Sequence, residues 1–519
     1  MKKLLSVLLC ATLLAGCGNI TVVSKDSSSK ADAATEITLS DEGIAVNGGQ
    51  ETDSVFTTND IIYYEDKDTY ASGNLYGEGT EADKHIAEEA AAHTVVNITA
   101  PGTYRATGKL SAGQIRIDLG EDAYEDPNAV VELILDNADI TCTVAPAILF
   151  LNTYECDGNW SADSAKPDVD TSSAGANLIL EGENTVNGSY VAKIFKDKEG
   201  EKKLWKQDGA IYSYMSMNVS GAGALELNAA NEGLGTELHL TINDGNITIN
   251  SNNDGINTNE DGVSVTTING GNLTIFAGLG AEGDGIDSNG YLVINGGNVI
   301  SCAKPISDAG LDSDMGSFIH GGTVVAMGSA MDWAESDSGQ VTMNLHFTNQ
   351  QKAGSEIRIV RDDGSRVFSF VPTGGTFREF SGLILSDPAM KQGDTYQVFI
   401  DGVQMSYTGT DVMRGPGGFG GPPKDFDPNN LPESFDPSKM PETPEGFDPT
   451  KMGGRGPRPE DENMIPPEGF DGRLPEGMEP PQMPEDGFGN HNNAPAGESR
   501  TDFYMNDMVN FFSGVSAAE

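Results

Sequence analysis

Short alternating strands separated by Gly and Asn dominate the middle of the chain. Four segments align with one another, at residues 242–249, 268–275, 294–301 and 319–326. Each begins with Ile, passes through a polar or Gly-rich turn and ends in an apolar strand, and their starts lie 26, 26 and 25 residues apart. A period in the twenties without a helical pattern inside it predicts a β-solenoid.

Each position of this repeat has a physical reason to stack. The apolar positions predict two internal aliphatic rows, one of Ile242, Ile268, Ile294 and Ile319 and one of Ile247, Leu273, Val299 and Val324. The turns contain Gly245, Gly271, Gly297 and Gly322, where a positive φ is expected. Asn246, Asn272 and Asn298 are expected to stack as an amide ladder. The solenoid is predicted over residues 95–340, with insertions at about 155–175 and 188–207.

A second motif recurs out of phase with the first and places acids in columns. Asp254 and Asp284 each precede Gly-Ile, and Asn257, Asp287 and Asp312 stand two residues past the Gly of successive copies. If the strands are in register, such side chains lie ~4.8 Å apart. Two unit charges at that distance repel each other by roughly 3.5 kcal/mol at an effective dielectric constant of about 20. A solvated acidic turn is the ordinary interpretation, but this repulsion favours a bound cation.

The local spacing indicates which cation. Residues 257–262 alternate oxygen ligands before a closing Gly, and residues 284–290 and 308–316 are shorter relatives of that loop. Hard oxygen donors without a nearby His or Cys cluster favour Ca²⁺ over a transition metal. The predicted calcium ligands are Asp254, Asn257, Asn259, Asp261, Asp284, Asp287, Asn289, Asp308, Asp312 and Asp314.

The overall charge limits the partners. The chain has 79 Asp and Glu against 31 Lys and Arg, a formal net charge of −48. Binding nucleic acid needs clustered cations that replace the counterions of the phosphates, so a nucleic-acid partner is excluded. The sequence gives no sign of self-association, and we expect a monomer.

The N-terminus predicts export. Met1 and two Lys precede a short apolar run, which predicts a signal peptide over residues 1–16. Residues 14–17 resemble a bacterial lipobox, in which Cys17 is acylated; a plain signal peptide with an incidental Cys is the alternative. Residues 17–35 predict a flexible tether. The protein is therefore expected to be lipid-anchored through Cys17 to the outer face of the bacterial cell membrane.

Four further segments flank the solenoid. Residues 36–94 predict an N-terminal β segment or cap. Residues 341–410 contain four short strands and predict a small C-terminal antiparallel β cap over the open end of the solenoid. Residues 411–500 hold 18 of the 25 Pro and predict a disordered Pro-, Gly- and Met-rich acidic insertion. Residues 501–519 regain an apolar pattern and predict a strand that returns to the cap.

The lipobox, the Gly209 to Tyr212 segment and the two repeat motifs together resemble the clostridial carbohydrate-binding β-helix lipoproteins, which are similar to polysaccharide lyases. The resemblance covers about residues 36–410. It implies an all-β, right-handed parallel β-helix that binds Ca²⁺ and polysaccharides such as cellulose or polygalacturonate-like acidic glycans. It implies binding rather than a reaction, so whether the protein is an enzyme stays open.

A calcium-dependent lyase acting by β-elimination on uronate-containing glycans is the alternative. Such chemistry needs an Arg or Lys as the base, and Lys304 is the one cationic residue between residues 231 and 340. A solvated Lys beside Asp308 is the simpler interpretation.

Aromatic and sulfur-containing residues add less specific signals. Tyr212, Tyr214 and Trp333 are candidates for stacking on sugar rings, although core or capping roles are more common for such residues. His239 is expected at the surface or in a turn. Cys142, Cys156 and Cys302 allow either a Cys142–Cys156 disulfide or buried free thiols.

Overall fold

The computed structural model describes residues 33–64, 82–159, 161–195, 204–329, 332–410 and 498–518. This part of the chain is nearly all β, with one α-helix, Ala87–Ala91, and two 3₁₀ helices, Glu121–Glu125 and Ala162–Ser164. None of its helices has the length and apolar character needed to cross a membrane. The predictions for Cys17, the signal peptide, most of the tether and residues 411–497 lie outside the described residues.

Three rows of strands form the repeat region, and each repeat contributes one strand to each row. Row 1 is a nine-stranded sheet whose strands pair in parallel, except for the antiparallel first pair. Its strands are Val55–Thr58, Thr94–Ile98, Gly113–Asp118, Ile148–Asn152, Gly209–Ser213, Glu232–Thr236, Ile256–Thr258, Ile286–Ser288 and Leu311–Ser313.

Rows 2 and 3 belong to a 24-stranded sheet. Row 2 consists of Met217–Ser220, Leu240–Ile242, Val265–Ile268, Tyr291–Ile294 and Gly316–Ile319. Row 3 consists of Ala224–Ala229, Asn246–Ser251, Asn272–Phe276, Asn298–Cys302 and Thr323–Gly328. Upstream, the same sheet contains Thr35–Ser40, Gly43–Val46, Gly102–Leu110, Val131–Thr141, Ala176–Glu181 and Glu183–Gly188. Large parallel sheets are therefore the framework of the molecule.

The registers confirm both predicted aliphatic rows. Ile242 pairs with Ile268, which pairs with Ile294, and Ile294 pairs with Ile319. The second row follows the same rule from Ile247 onward. Side chains of both rows are buried in one continuous core enclosed by the three rows. Alternation along each strand then points the intervening side chains away from that core.

The turns between rows 2 and 3 explain the Gly-rich motif. Gly245, Gly271, Gly297 and Gly322 all have positive φ, between 82° and 129°, as predicted. A longer Asn ladder lies three residues before the predicted one. Asn269 donates to Asn243 at 2.9 Å and Asn295 donates to Asn269 at 2.9 Å. Asn272 also donates to Asn246 at 2.8 Å.

The two insertions lie where the sequence suggests. The first follows Ile148–Asn152 and precedes Ala176–Glu181. The second contains a two-stranded hairpin of Val191–Phe195 and Leu204–Gln207, which leads directly into row 1 at Gly209. This hairpin brings Lys206 beside the start of row 1.

The C-terminal strands contact the last repeat through one strand pairing and through a shared core. They are Thr342–Gln351, Ile357–Arg361, Arg366–Phe370, Phe380–Ser386, Thr395–Ile400, Val403–Ser406, Phe503–Tyr504 and Val509–Ala517. Phe380–Ser386 pairs antiparallel with the last strand of row 3, and Val509–Ala517 pairs with Thr342–Gln351. A second core joins these strands to Phe276, Cys302, Val325 and Met327, which project from the outer side of row 3.

Candidate functional site

Asn257, Asp287 and Asp312 form one column on the outer side of row 1. Asn257 pairs directly with Asp287, and Asp287 pairs with Asp312. Ile256 and Ile286, the preceding residues, are buried in the core, so the column faces away from it. The parallel register therefore places two carboxyl groups and an amide on consecutive strands, as the second sequence motif predicts.

A second column stands at the start of the same strands, and hydrogen bonds tie its members together. The Asp284 backbone N–H donates to Asp254 Oδ1 at 2.7 Å, and the Ala309 N–H donates to Asp284 Oδ1 at 2.5 Å. Asp308 Oδ2 accepts from the Gly283 N–H at 3.0 Å. Each carboxylate thus binds the backbone of a neighbouring repeat, which fixes its position.

Three carboxyl groups of the two columns, those of Asp254, Asp284 and Asp287, have raised pKa values. Burial is the main cause for Asp284, followed by the charges of Asp312 and Asp254, and its pKa rises to about 8. Burial raises the pKa of Asp254 to about 6. The pKa of Asp287 lies well above its usual range because the group is buried and faces Asp254 and Asp312. Ionising all of them together is therefore costly in this protein.

Three charged residues of the site are missing from the residues predicted for it. Glu232 heads the same motif one repeat before Asp254, and its burial and its proximity to Asp208 raise its pKa well above the usual range. Asp332 follows the last repeat; burial and Asp312 raise its pKa to about 9. The motif of Asp254 and Asp284 already includes Glu232, although Glu232 is not among the predicted ligands, whereas no repeat contains Asp332. We call Glu232, Asp254, Asp284, Asp287, Asp312 and Asp332 the acidic cluster.

Lys206 is the third residue, and it comes from the hairpin insertion. Its Nζ lies 3.1 Å from Asp208 Oδ2. Burial alone would lower the pKa of Lys206, but Asp208 and Glu232 outweigh it and raise that pKa above its usual range. The ammonium group is therefore protonated and partly neutralises one end of the acidic cluster. No sequence signal links this insertion to row 1.

The remaining predicted ligands gather at the opposite end of the row 1 strands. Asn289 Nδ2 donates to the Asn259 carbonyl at 2.8 Å and to Asp261 Oδ1 at 3.0 Å. The Asp314 N–H donates to the Ser288 carbonyl at 3.0 Å. Residues 257–262 thus do not act as one local loop, because Asn257 lies in a paired strand. The ten predicted ligands divide between two groups, each assembled from successive repeats.

Several buried oxygen atoms of this region have no hydrogen-bond donor. Within the described residues they include Glu232 Oε2, Asn257 Oδ1 and Asn259 Oδ1. In the same part of the chain, no three His, Cys, Asp or Glu side chains are arranged so that they could hold a metal ion by themselves. The donor set is chemically suited to a hard cation, but carboxylates alone do not complete a site.

Lys304 does not face the acidic cluster. Its Nζ donates to the backbone carbonyl of Gly280, and its own backbone carbonyl accepts from the Asp308 N–H at 3.2 Å. The ammonium group is thus held by the loop between rows 3 and 1.

The candidate sugar-stacking residues differ in exposure. Tyr212 is fully buried and Tyr214 is 6% exposed, and their rings pack edge to face at 5.4 Å. Neither offers a free ring face in this structure, which corrects the stacking prediction; Tyr212 OH instead donates to Glu237. Trp333 is half-buried against Phe511, beside a cavity of about 40 Å³ that is too small for a sugar ring.

The first insertion is anchored by buried polar contacts. His239 Nε2 lies 3.2 Å from Asp157 Oδ2, and its Nδ1 accepts from the Val265 N–H at 3.1 Å. His239 is only 1% exposed and lies in the turn before Leu240–Ile242, so the turn position is confirmed and the surface position is wrong. The accepted bond at Nδ1 leaves Nε2 to carry the proton. Cys142, Cys156 and Cys302 are free thiols in this structure.

Comparison with known proteins assigns the family. A family model described as "Carbohydrate-binding domain-containing protein" matches residues 92–359, slightly more than half of the chain. The chain belongs to this family. The match includes every strand of rows 1 to 3 from Thr94–Ile98 onward, and therefore the whole acidic cluster.

Two similar proteins carry related descriptions. A carbohydrate-binding domain-containing protein of Acetivibrio thermocellus is 31% identical over 153 residues, which are 29% of this chain and 43% of that protein. The chain thus matches less than half of the relative's length. A solved structure of a polysaccharide lyase-like protein from C. thermocellum, in its gadolinium derivative, is 21% identical and aligns over 56% of this chain and 93% of that one, with a TM-score of 0.31.

Proposed function

We propose that this member of the carbohydrate-binding family is a calcium-dependent polysaccharide-binding lipoprotein. In this proposal the three rows are the faces of a right-handed parallel β-helix, the handedness expected for parallel crossover connections. The C-terminal strands act as its cap. The glycans are plant-type or acidic polymers, such as cellulose or polygalacturonate-like chains.

The acidic cluster is the observation that carries the calcium proposal. Asp287 and Asp312 lie on neighbouring strands in register, and the raised pKa values of Asp284 and Asp287 reflect burial and mutual repulsion. The buried, unpaired Asn257 Oδ1 and Glu232 Oε2 add acceptors that a cation would satisfy. Oxygen donors of this kind are the preferred ligands of Ca²⁺.

The glycan completes the site in this proposal. Because protein carboxylates alone do not surround an ion, the coordination includes amide or backbone oxygen atoms, water or the carboxylates of an acidic sugar. Asp254, Asp284 and Asp287 would hold the ion, which supplies positive charge between two anionic partners. A protein with a net charge of −48 would otherwise repel a uronate polymer.

The cellular setting follows from the N-terminus. We propose that acylation of Cys17 holds the protein on the outer face of the bacterial cell membrane, where extracellular polysaccharides are accessible. Residues 17–35 would space the carbohydrate-binding region from the lipid surface.

The lyase alternative lacks a candidate base with favourable surroundings among the described residues near row 1. Lys206 is held protonated by its carboxylate neighbours, and Lys304 donates to a backbone carbonyl. We therefore keep binding as the proposed function.

A glycan array probed with the protein in calcium and in EGTA tests the proposal. We expect acidic glycans such as polygalacturonate to bind in calcium and to lose binding in EGTA. Formation of unsaturated uronate products, absorbing in the ultraviolet and abolished by Lys304→Ala, would instead support the lyase. Equal binding of acidic glycans with and without calcium would contradict the proposal.

A further inference from the structure

A long groove runs along the outer side of row 3, on a different face of the repeats from the acidic cluster. Its far wall is the strand Arg366–Phe370 together with the segment that follows it. The groove has a volume of about 900 Å³. This is at the upper end of the ~300–1,000 Å³ typical of ligand pockets.

The floor of the groove is a regular array of outward-facing side chains. Thr248 pairs in register with Thr274, Thr274 pairs with Ile300, and Ile300 pairs with Val325. The strand spacing of ~4.8 Å makes this column roughly 14 Å long. No hydrogen bond within the described residues uses the half-buried hydroxyl groups of Thr248 and Thr274. The strands of Ile300 and Val325 contribute Asn298 and Thr323 to the lining, so each of the four strands offers a polar group to a chain that crosses them.

Aromatic rings form the opposite side of the groove. Phe377 packs edge to face against Phe276 at 5.0 Å and against Phe370 at 5.8 Å. Phe370 and Phe377 remain half-exposed, and Val371 is 58% exposed. A ring beside regularly spaced polar groups suits a sugar, which has C–H groups on one side and hydroxyl groups around its edge.

This wall is fixed to the repeats by specific contacts. Gly375 has a φ of +71°, and a Cβ atom there would lie 2.0 Å from the Phe276 ring, so the segment passes directly over that ring. Arg378 Nη2 donates to the Gly278 carbonyl at 2.6 Å. The groove is therefore a defined feature of the fold.

The charge of the groove selects its occupant. Among the described residues, its lining contains two charged side chains, Glu226 and Asp387, and no Lys, Arg or His. At one end of the groove, the Thr323 hydroxyl donates to Asp387 Oδ2 at 2.8 Å. An anionic polymer would meet only negative charge here, whereas a neutral, hydroxyl-rich chain meets no such repulsion.

We propose that this groove binds a neutral polysaccharide chain without calcium, as a site separate from the acidic cluster. The inference rests on the carbohydrate-binding part of the proposed function and is independent of its calcium part. One protein would thus hold two classes of glycan on two faces of the same repeats.

Isothermal titration of the full chain in EGTA with cellohexaose, xylohexaose and mannohexaose tests the groove. We expect at least one neutral hexasaccharide to bind in EGTA, and Phe377→Ala to weaken it by about tenfold. Thr274→Arg, which fills the floor from a half-exposed position, should abolish binding. Tyr124→Ala, which removes an exposed aromatic residue of the 3₁₀ helix at Glu121–Glu125, is the matched control and should leave the affinity unchanged.

A second arm with pentagalacturonate and calcium separates this inference from the proposed function. Both Phe377→Ala and Thr274→Arg should keep calcium-dependent binding of pentagalacturonate, which also shows that they fold. The inference is overturned if no neutral hexasaccharide binds in EGTA, or if both variants bind neutral glycans as the unmodified protein does. It is also overturned if a synthetic peptide of residues 425–450 of this chain binds the groove in a Phe377-dependent way and the glycans do not.

Discussion

Rows 1 and 3 use the same repeats to present opposite chemistry. On row 1 the outward column holds Asn257, Asp287 and Asp312. On row 3 the outward column runs from Glu226 through Thr248 and Thr274 to Ile300 and Val325. Both columns have the same strand spacing, yet only row 1 contains carboxyl groups with strongly raised pKa values.

The difference shows that stacking of the repeats fixes the distance between outward side chains but not their chemical type. The core needs aliphatic residues only at inward positions, so the outward positions can change without loss of packing. A column of carboxylates requires neutralisation, whereas a column of Thr and Asn does not. Three substitutions and one change of pH would test this contrast, and they follow from the largest expected effect to the smallest.

Gly285→Ala should produce the largest change in stability. A Cβ atom at this position would lie 1.9 Å from Ser301 Oγ and 2.4 Å from the Gly310 carbonyl oxygen, so the strand would have to move away from the next repeat. We expect unfolding in urea to show a loss of about 3 kcal/mol. Gly158→Ala is the control, since a Cβ atom there meets nothing within 4 Å. Equal stability of the two variants would contradict the close packing of row 1.

Asp287→Asn should have opposite effects on calcium binding and on stability without calcium. The substitution removes a ligand charge, so calcium affinity measured by titration calorimetry should fall by about tenfold. It also removes a buried carboxyl group whose raised pKa shows that the folded protein disfavours its charge, so the melting temperature in EGTA should rise.

The exposed Asp244→Asn, in a turn between rows 2 and 3, is the matched control for that variant. It should change neither calcium affinity nor the melting temperature appreciably. A fall in the melting temperature of Asp287→Asn in EGTA would mean that the Asp287 carboxylate stabilises row 1 without a metal ion.

The pH dependence should distinguish row 1 from the rest of the molecule. The pKa values of Asp254 and Asp284 are raised to about 6 and about 8, so these groups favour folding below their ordinary pKa near 3.8 and lose that contribution as the pH rises through 6 to 8. The calcium-free protein should therefore melt at a lower temperature at pH 9 than at pH 5.5.

Calcium should show the converse pattern, because it must displace the protons that these carboxyl groups hold. The increase in melting temperature caused by calcium should be larger at pH 9 than at pH 5.5. Melting curves at both pH values, in calcium and in EGTA, measure both effects. A calcium-free protein that is more stable at pH 9 would contradict the raised pKa values.

Thr274→Val should cause the smallest change in stability, and it tests an outward position of row 3. Its hydroxyl group faces the groove, so we expect a change of less than about 0.5 kcal/mol. Thr258→Val is the inward counterpart on row 1, where the hydroxyl contacts Ser288 at 2.8 Å and is fully buried. That substitution should cost about 1–2 kcal/mol in urea unfolding. Equal costs would mean that the two threonines have similar surroundings.

The repeat motif predicts much of the fold and part of the site. Ile242, Ile268 and their equivalents could be placed because only a stacked arrangement buries all of them at once. Asp284 and Asp287 could be singled out because they recur at fixed distances from a Gly. The sequence could not show that Tyr212 is fully buried, because its alternating neighbours are equally compatible with an exposed face.

Residues outside the repeats illustrate what periodicity cannot predict. Lys206 reaches the acidic cluster through a hairpin insertion, and Asp332 reaches it after the last repeat. His239 is buried because the first insertion covers it with Asp157. None of these contacts recurs at a fixed spacing along the chain, so no sequence pattern predicts them.

The sequence by itself determines the parallel strands, the positive-φ glycine turns and the in-register carboxyl columns, because each depends on local spacing repeated at a constant period. Only the tertiary structure decides what covers each face. The hairpin with Lys206 closes one end of the acidic cluster, and the C-terminal strands turn the outer side of row 3 into a groove lined by Phe377. These contacts join segments far apart in the chain, and their energies depend on burial and charge that arise only after folding.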